Sequence, residues 1–355
     1  MSERRILILN TDLERGGTPT VVRDVATRLN APGVHVQVAC LGRRGPLADE
    51  IEAAGLTVTA LGACGPTDLR VINTLSGLIG GGGFDTVLSF LVHANAAATL
   101  TSFRHSRVRY FQAIQTTQRR PAWHWWVQAA VQGRAERIIV PSQSVADCAH
   151  VRSLVGRRRI VVIPNAVDVD RFQRIARIAA AGEFRLGFIG RLDPVKHVPN
   201  LVTAMSRIEA RVALHIFGDG PDRARIEQTV ARLGLSGRVT LHGMVACPED
   251  ALSQIDAIIL PSEAEGLPMV LIEAMAAGVP IIATDAPGIR DVVQNGRTAL
   301  MVPVGDVAAL ASAIGRLAGD VGLRDQLVAE ARVTVAQRFT WERVMSQYGK
   351  VLQLT

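Results

Sequence analysis

Short apolar runs of three to six residues recur along this chain, separated by longer amphipathic stretches, in two blocks with one break between them. That order is the signature of βα units on a parallel sheet. In the first block the runs are Arg5–Leu9, Val34–Ala39, Thr57–Leu61, Thr86–Phe90, Val108–Ala113, Arg137–Val140 and Ile160–Ile163. Residues 165–184 are more irregular and read as a connector. The alternation restarts with Arg185–Ile189, Ala213–Phe217, Val239–Leu241, Ala257–Leu260 and Ile281–Thr284, and after Val304 the chain reads as helix.

The expected fold class is therefore α/β, with two Rossmann-like domains whose parallel sheets face an interdomain cleft. The expected domains are residues 1–165 and 185–339, joined by 166–184, with a last helix at about 340–355 packing back on the first domain. With 355 residues and 48% apolar content, a large core is affordable and disorder is excluded. No apolar run reaches the ~20 residues needed to span a bilayer. The opening run ends at Asn10-Thr11-Asp12 and reads as a first strand, not a signal peptide. Four scattered cysteines show no metal-ligand spacing, and a reduced, cytoplasmic setting is expected.

In open parallel sheets, ligands sit beyond the carboxyl ends of the strands. After Arg185–Ile189 the loop carries Arg191 and Lys196, one of only two lysines in the chain. A guanidinium fork and a mobile ammonium suit phosphate oxygens. For Lys196 a solvated surface position is the open alternative. After Ala257–Leu260 comes Ser262-Glu263-Ala264-Glu265-Gly266-Leu267-Pro268, then a helix with Pro268 in its first turn and Gly278 at its stop. The helix start and the N–H groups of Gly266 and Leu267 suit an anionic or sugar oxygen. Glu273 stands inside an apolar run, where an unpartnered carboxylate is costly. It is expected to accept hydrogen bonds from ribose hydroxyls. Asp168-Val169-Asp170 lies in the connector and reads as a turn or cap. The run Gly80–Gly83 precedes a strand and reads as a flexible turn.

The net charge of +7 is unevenly placed: residues 104–159 hold 11 arginines against Glu136 and Asp147 alone. Trp123, Trp125 and Trp126 fall in the same block. Arginine beside clustered tryptophan suits an anionic membrane surface. The alternative is that Trp125 or Trp126 packs in the core and the arginines are a solvated face; both stay open here.

These pieces, in this order, resemble the retaining glycosyltransferases of family 4, which have the GT-B fold. They are Gly16-Gly17, the segments 163–172 and 190–197, Phe217-Gly218-Asp219-Gly220-Pro221, Leu241-His242-Gly243, and the segment 261–285. The resemblance implies that Glu265 contacts the donor sugar and Glu273 the ribose. Arg191 and Lys196 would hold the donor diphosphate, and Gly16 and Gly17 would belong to the loop that closes over it. His93 would be the active-site histidine. In this fold the base is read partly by backbone groups, here near Met244 and Val245. Gly266 and Leu267 complete the expected donor site. Neither a metal nor another cofactor is expected.

The implied activity moves a sugar from a nucleoside-diphosphate sugar, UDP- or GDP-linked, to an acceptor hydroxyl with retention. The transition state is oxocarbenium-like, and Glu265 and Glu273 are not an acid/base pair. The expected setting is cell-envelope polysaccharide, glycolipid or other glycoconjugate synthesis. The acceptor would be lipid-linked or membrane-proximal, and the protein peripheral on the inner membrane face. A nucleic-acid partner is not expected, because no base-reading module is apparent. The alternatives on the same fold are a sugar-nucleotide epimerase and a non-catalytic nucleotide-sugar binder.

Overall fold

A strand covered on both faces must be apolar along its whole length, which is why the short runs become the inner strands of parallel sheets. The computed structural model describes residues 3–65, 68–118, 121–176, 178, 182–208, 211–245 and 247–354. The first sheet holds β1 (Arg4–Asn10), β2 (Val34–Cys40), β3 (Thr57–Ala60), β4 (Thr86–Phe90), β5 (Arg109–Ala113), β6 (Arg137–Val140) and β7 (Ile160–Val162). Their order is β3-β2-β1-β4-β5-β6-β7, and the pairings are parallel. The second sheet holds β8 (Phe184–Ile189), β9 (Val212–Phe217), β10 (Val239–Gly243), β11 (Ala257–Leu260), β12 (Ile281–Thr284) and β13 (Leu300–Val302). Its order is β10-β9-β8-β11-β12-β13, again parallel. In both sheets the order reverses once, between β1 and β4 and between β8 and β11. Such a reversal splits the connecting helices to opposite faces and leaves a crevice at the strand ends.

The chain forms two compact units, Met1–Asn165 with Glu342–Thr355, and Ala166–Trp341. In the first, Leu7, Leu9 and Val87 of the central strands pack with Val71, Leu75 and Ile79 of helix Arg70–Gly82. In the second, Leu186, Phe188, Ile258 and Ile259 pack with Leu271, Ile272 and Met275 of helix Met269–Ala277. Each such buried side chain stabilises by roughly 1.5–3 kcal/mol. The last helix, Trp341–Leu352, buries Val344, Tyr348 and Leu352, four residues apart, on one face. Arg109 Nη1 donates to Leu352 O at 3.0 Å, tying this helix to β5 in the first unit.

Four details differ from or refine the sequence reading. The glycine run is not a flexible turn: Gly80–Gly82 complete helix Arg70–Gly82, and Gly83 ends it at φ 62°. Burial of Val71, Leu75 and Ile79 carries the helix into residues of low helix propensity. Strand β13, only three residues long, had no visible run of its own. Pro268 stands at the N-cap, one residue before the helix begins. Asp168 caps helix Val169–Gln173, its side chain accepting from Arg171 N at 3.1 Å.

The loops at the carboxyl end of the second sheet are stitched backbone to backbone. A Cβ on Gly218 would lie 1.9 Å from Gly190 O, and one on Gly220 2.6 Å from Leu192 O. The β11 loop is held on both sides: the Glu263 N–H donates to Val195 O at 2.8 Å, and the Glu265 N–H to Pro287 O at 3.0 Å. The Thr284 hydroxyl donates to Ser262 O. Gly288, at φ +80°, sits under this loop, and its Cβ would lie 2.1 Å from Glu265 O. A left-handed conformation alone costs an alanine about 1–2 kcal/mol, and the clash adds to it. Gly288→Ala is therefore expected to lower unfolding free energy in urea by at least ~2 kcal/mol. Gly17→Ala, where a Cβ meets nothing within 4 Å, is expected to change it by less than ~1 kcal/mol. Equal effects of the two would contradict this packing.

Candidate functional site

The two strands at the reversal of the second sheet each deliver one charge. Lys196 ends the 3-10 turn Pro194–Lys196 after β8, and Glu265 lies in the loop after β11. Lys196 Nζ donates to Glu265 Oε1 at 2.6 Å, with the side chains only 20% and 11% exposed. His197 follows at φ 51°, a left-handed position rare for a histidine. Its Nε2 is 3.5 Å from Glu263 Oε2. Among the described residues, His197 Nδ1 and Ser262 Oγ are buried without a hydrogen-bond partner. Leaving such a group unpaired costs about 1–3 kcal/mol unless a ligand or water meets it.

Of the other residues expected at the donor site, Gly16 and Gly17 belong to the first unit, and the rest lie on the same unit as the pair, differently placed. Arg191 is 72% exposed and pairs with Asp193 at 3.2 Å rather than with Glu265. Gly266 is half-buried and Leu267 buried in the pinned loop. Glu273 is half-buried on helix Met269–Ala277. Met269 and Ala277, one turn before and after it, share its less buried stripe. Its neighbours Leu271, Ile272, Ala274 and Met275 are buried. Met244 is exposed, and Val245 packs against the core just after Gly243. Gly243 O accepts from the Gly218 N–H at 2.7 Å. Among the described residues no group of three or more His, Cys, Asp or Glu is arranged to hold a metal ion.

The first unit repeats the arrangement at the reversal of its own sheet. Gly16 is the N-cap of helix Gly17–Leu29, which follows β1. Gly16 is extended, and a Cβ there would come no closer than 3.7 Å to Pro19 Cδ. Neither Gly16 nor Gly17 is demanded by backbone or packing. At the end of β1, Asn10 Oδ1 and Thr11 Oγ1 are buried without partners among the described residues.

His93 lies in the first turn of helix Val92–Ser102, directly after β4. The joint is Leu91, at φ 71° and ψ 157°, a region almost reserved for glycine. Such strain costs about 1–3 kcal/mol and persists only where the surroundings impose it. Those surroundings are a buried polar network. Ser89 Oγ donates to Asn95 Oδ1 at 2.7 Å, Asn95 Nδ2 to Gln128 Oε1 at 2.9 Å, and Gln128 Nε2 to Gln112 Oε1 at 2.7 Å. The network locks helix Trp123–Val131 to helix Val92–Ser102 and β5. Trp125 is the core tryptophan, its Nε1 donating to Gln118 O at 2.9 Å. Trp123 and Trp126 are 45% and 75% exposed. The alternative reading of the basic block thus holds for Trp125, while Trp126 is left at the surface; Arg119 and Arg120 of the block lie outside the described residues.

His93 meets two rings from that helix, Trp123 at 5.5 Å and His124 at 5.7 Å between centroids. Burial pushes the pKa of His93 below the usual histidine value. Burial first, and the nearby His93 second, do the same to His124. Both shifts favour the neutral imidazole. His124, Leu91, Ser262, His197 and Gly288 were missed in the sequence. Of these, only His124 had a visible signal, a second histidine beside the clustered tryptophans.

Comparison with known proteins gives the same picture. Residues 15–171 match the model described as Glycosyltransferase Family 4, and residues 183–320 that described as Glycosyl transferases group 1. The chain is 33% identical over 242 residues to a GDP-mannose-dependent alpha-mannosyltransferase of Mycolicibacterium smegmatis, covering 66% of this chain and 61% of that protein. It is 35% identical over 203 residues to the lipopolysaccharide core biosynthesis glycosyltransferase LpsD of Rhizobium meliloti, covering 56% and 59%. The chain thus spans about three fifths of the length of these curated relatives. Its fold matches that of Anabaena Alr3699/HepE, solved in complex with UDP-glucose, at a TM-score of 0.88 and 20% identity. That match covers 99% of this chain and all of the other. One family model on each block, and one fold across both, place this protein in the family 4 glycosyltransferases, with the GT-B fold.

Proposed function

We propose that the protein transfers a sugar from a nucleoside-diphosphate sugar to an acceptor hydroxyl, with retention at the anomeric carbon and without a metal. The setting we propose is polysaccharide or glycolipid synthesis. The observation that carries this reading is the Lys196–Glu265 pair at the strand-order reversal of the second sheet. A half-buried ion pair is a weak way to stabilise a fold, because desolvation offsets the attraction. Poised at the strand ends, it is a strong way to hold two opposite ligand chemistries in register. Lys196 turns to the diphosphate, joined by the exposed Arg191, and Glu265 turns to the sugar hydroxyls. Glu273 takes the ribose hydroxyls, and the backbone of Met244 and Val245 borders the base. Gly16 and Gly17 leave room for phosphates to approach a backbone, and His93 serves the reacting sugar.

The step breaks the bond between the anomeric carbon and the diphosphate oxygen and forms one to the acceptor oxygen on the same face. Negative charge grows on the leaving diphosphate, where Lys196 and Arg191 stabilise it electrostatically. The acceptor proton leaves with that diphosphate, so no carboxylate base is needed. The relatives support the substrate classes: one is named for GDP-mannose and one for lipopolysaccharide core biosynthesis, and the matched fold was solved with UDP-glucose.

Trp126, with the arginines of residues 104–159, further suits peripheral contact with an anionic membrane. Flotation with phosphatidylglycerol vesicles is expected to carry the protein and to weaken in Trp126→Ser. Protein that stays at the bottom of the gradient removes the membrane from the proposal.

Proton NMR tests the chemistry, with UDP-glucose or GDP-mannose, methanol as a minimal acceptor, and EDTA present. The expected product is the methyl α-glycoside, formed slowly and lost in Glu273→Ala. A methyl β-glycoside would overturn retention, and inhibition by EDTA would overturn metal independence. An epimerised nucleotide sugar would make the protein an epimerase, and donor binding without turnover would make it a binder.

A further inference from the structure

We propose that Trp123, His93 and His124 form an acceptor subsite that seats a neutral pyranose ring, the indole under its C–H face and the two imidazoles at its hydroxyls. This rests on the transferase reading and names the acceptor chemistry which that reading leaves open. The three rings stand at 68°, 81° and 74° to one another, with centroids 5.5, 5.7 and 3.9 Å apart. They make three near-perpendicular walls, a corner rather than a stack. Trp123 offers nearly half its surface to solvent, although Trp125 of the same helix is buried.

A pyranose has two chemistries, and the corner matches both. Its axial C–H bonds carry slight positive charge and pack on the electron-rich face of an indole. Its hydroxyls each donate and accept, and a neutral imidazole likewise has one donor and one acceptor nitrogen. Among the described residues neither the His93 ring nor the His124 ring makes a hydrogen bond or an ion pair. With both rings uncharged, the corner favours a neutral hydroxylated ring over a phosphate.

The corner is also prebuilt. His93 is aimed by the strained Leu91 joint, and Trp123 and His124 begin the helix that Gln128 fastens to Asn95 and Gln112. A ligand therefore does not have to order these side chains, and that ordering cost is what most weakens binding of small polar molecules.

Saturation-transfer NMR on the whole protein tests this, using methyl α-D-glucopyranoside, methyl α-D-mannopyranoside and methyl β-D-galactopyranoside as probes and glycerol as the acyclic control. At least one glycoside is expected to show ring-proton transfer about threefold or more above glycerol. Trp123→Ala is expected to abolish it and Trp123→Phe, which keeps an aromatic face, to retain part of it. His124→Ala is expected to weaken it several-fold. No transfer to any glycoside, or transfer unchanged by Trp123→Ala, overturns the subsite. If Trp123→Ala instead only reduces flotation with phosphatidylglycerol vesicles, the indole is a lipid contact and the subsite is likewise overturned. Methanolysis of the donor separates the two levels: its persistence without glycoside binding sinks this inference alone, whereas its failure sinks the transferase reading beneath it.

Discussion

Lys196 and Glu265 are 69 residues apart in the chain and 2.6 Å apart in space. They meet because β8 and β11 are neighbours across the one place where the strand order of the second sheet reverses. The surrounding loops serve that meeting. The Val195 and Pro287 carbonyls accept from the N–H groups of Glu263 and Glu265, and Gly288 makes room under the Glu265 carbonyl. A pair of apolar residues would hold two loops together at no desolvation cost, so stability alone is a weak reason for charge here, and the proposed ligand role supplies another.

The first unit follows the same logic with a different chemistry. Its sheet has the same reversal, and the strand ends there again carry polar groups: Asn10 and Thr11 at the end of β1, His93 after β4. The second unit holds charge against charge. The first holds neutral imidazoles beside an exposed indole and relies on a buried amide network to keep them still. The proposed transfer uses that contrast, with a diphosphate on one unit and an uncharged hydroxylated ring on the other.

Much of this was legible in the sequence, for a physical reason. Inner strands of parallel sheets are apolar throughout, so each stood out as a run, and the break near residue 165 separated the two blocks. Strand β13 escaped because three residues make no pattern, and Gly80–Gly83 misled because tertiary burial of Ile79 outweighed weak helix propensity. The candidate donor residues were visible as residue types after strands. Their pairing was not, because it depends on which strands become neighbours. The strain at Leu91 was hidden entirely: nothing in a leucine announces a glycine conformation. His124 and Trp123 were in view, but only the fold of their helix decided which tryptophan is buried and which ring meets His93.

The direct test of the paired donor site is calorimetric titration of the wild type, Lys196→Ala and Glu265→Gln with a nucleoside diphosphate and with its sugar derivative. If Lys196 holds phosphate and Glu265 holds sugar, Lys196→Ala weakens both ligands at least tenfold. Glu265→Gln then weakens the nucleotide sugar about tenfold or more and leaves the diphosphate within about twofold or tighter, since a lost charged hydrogen bond is worth about 1.5–3 kcal/mol. Sugar-nucleotide affinity unchanged in both variants, or the two ligands weakened equally by Glu265→Gln, would contradict the assignment.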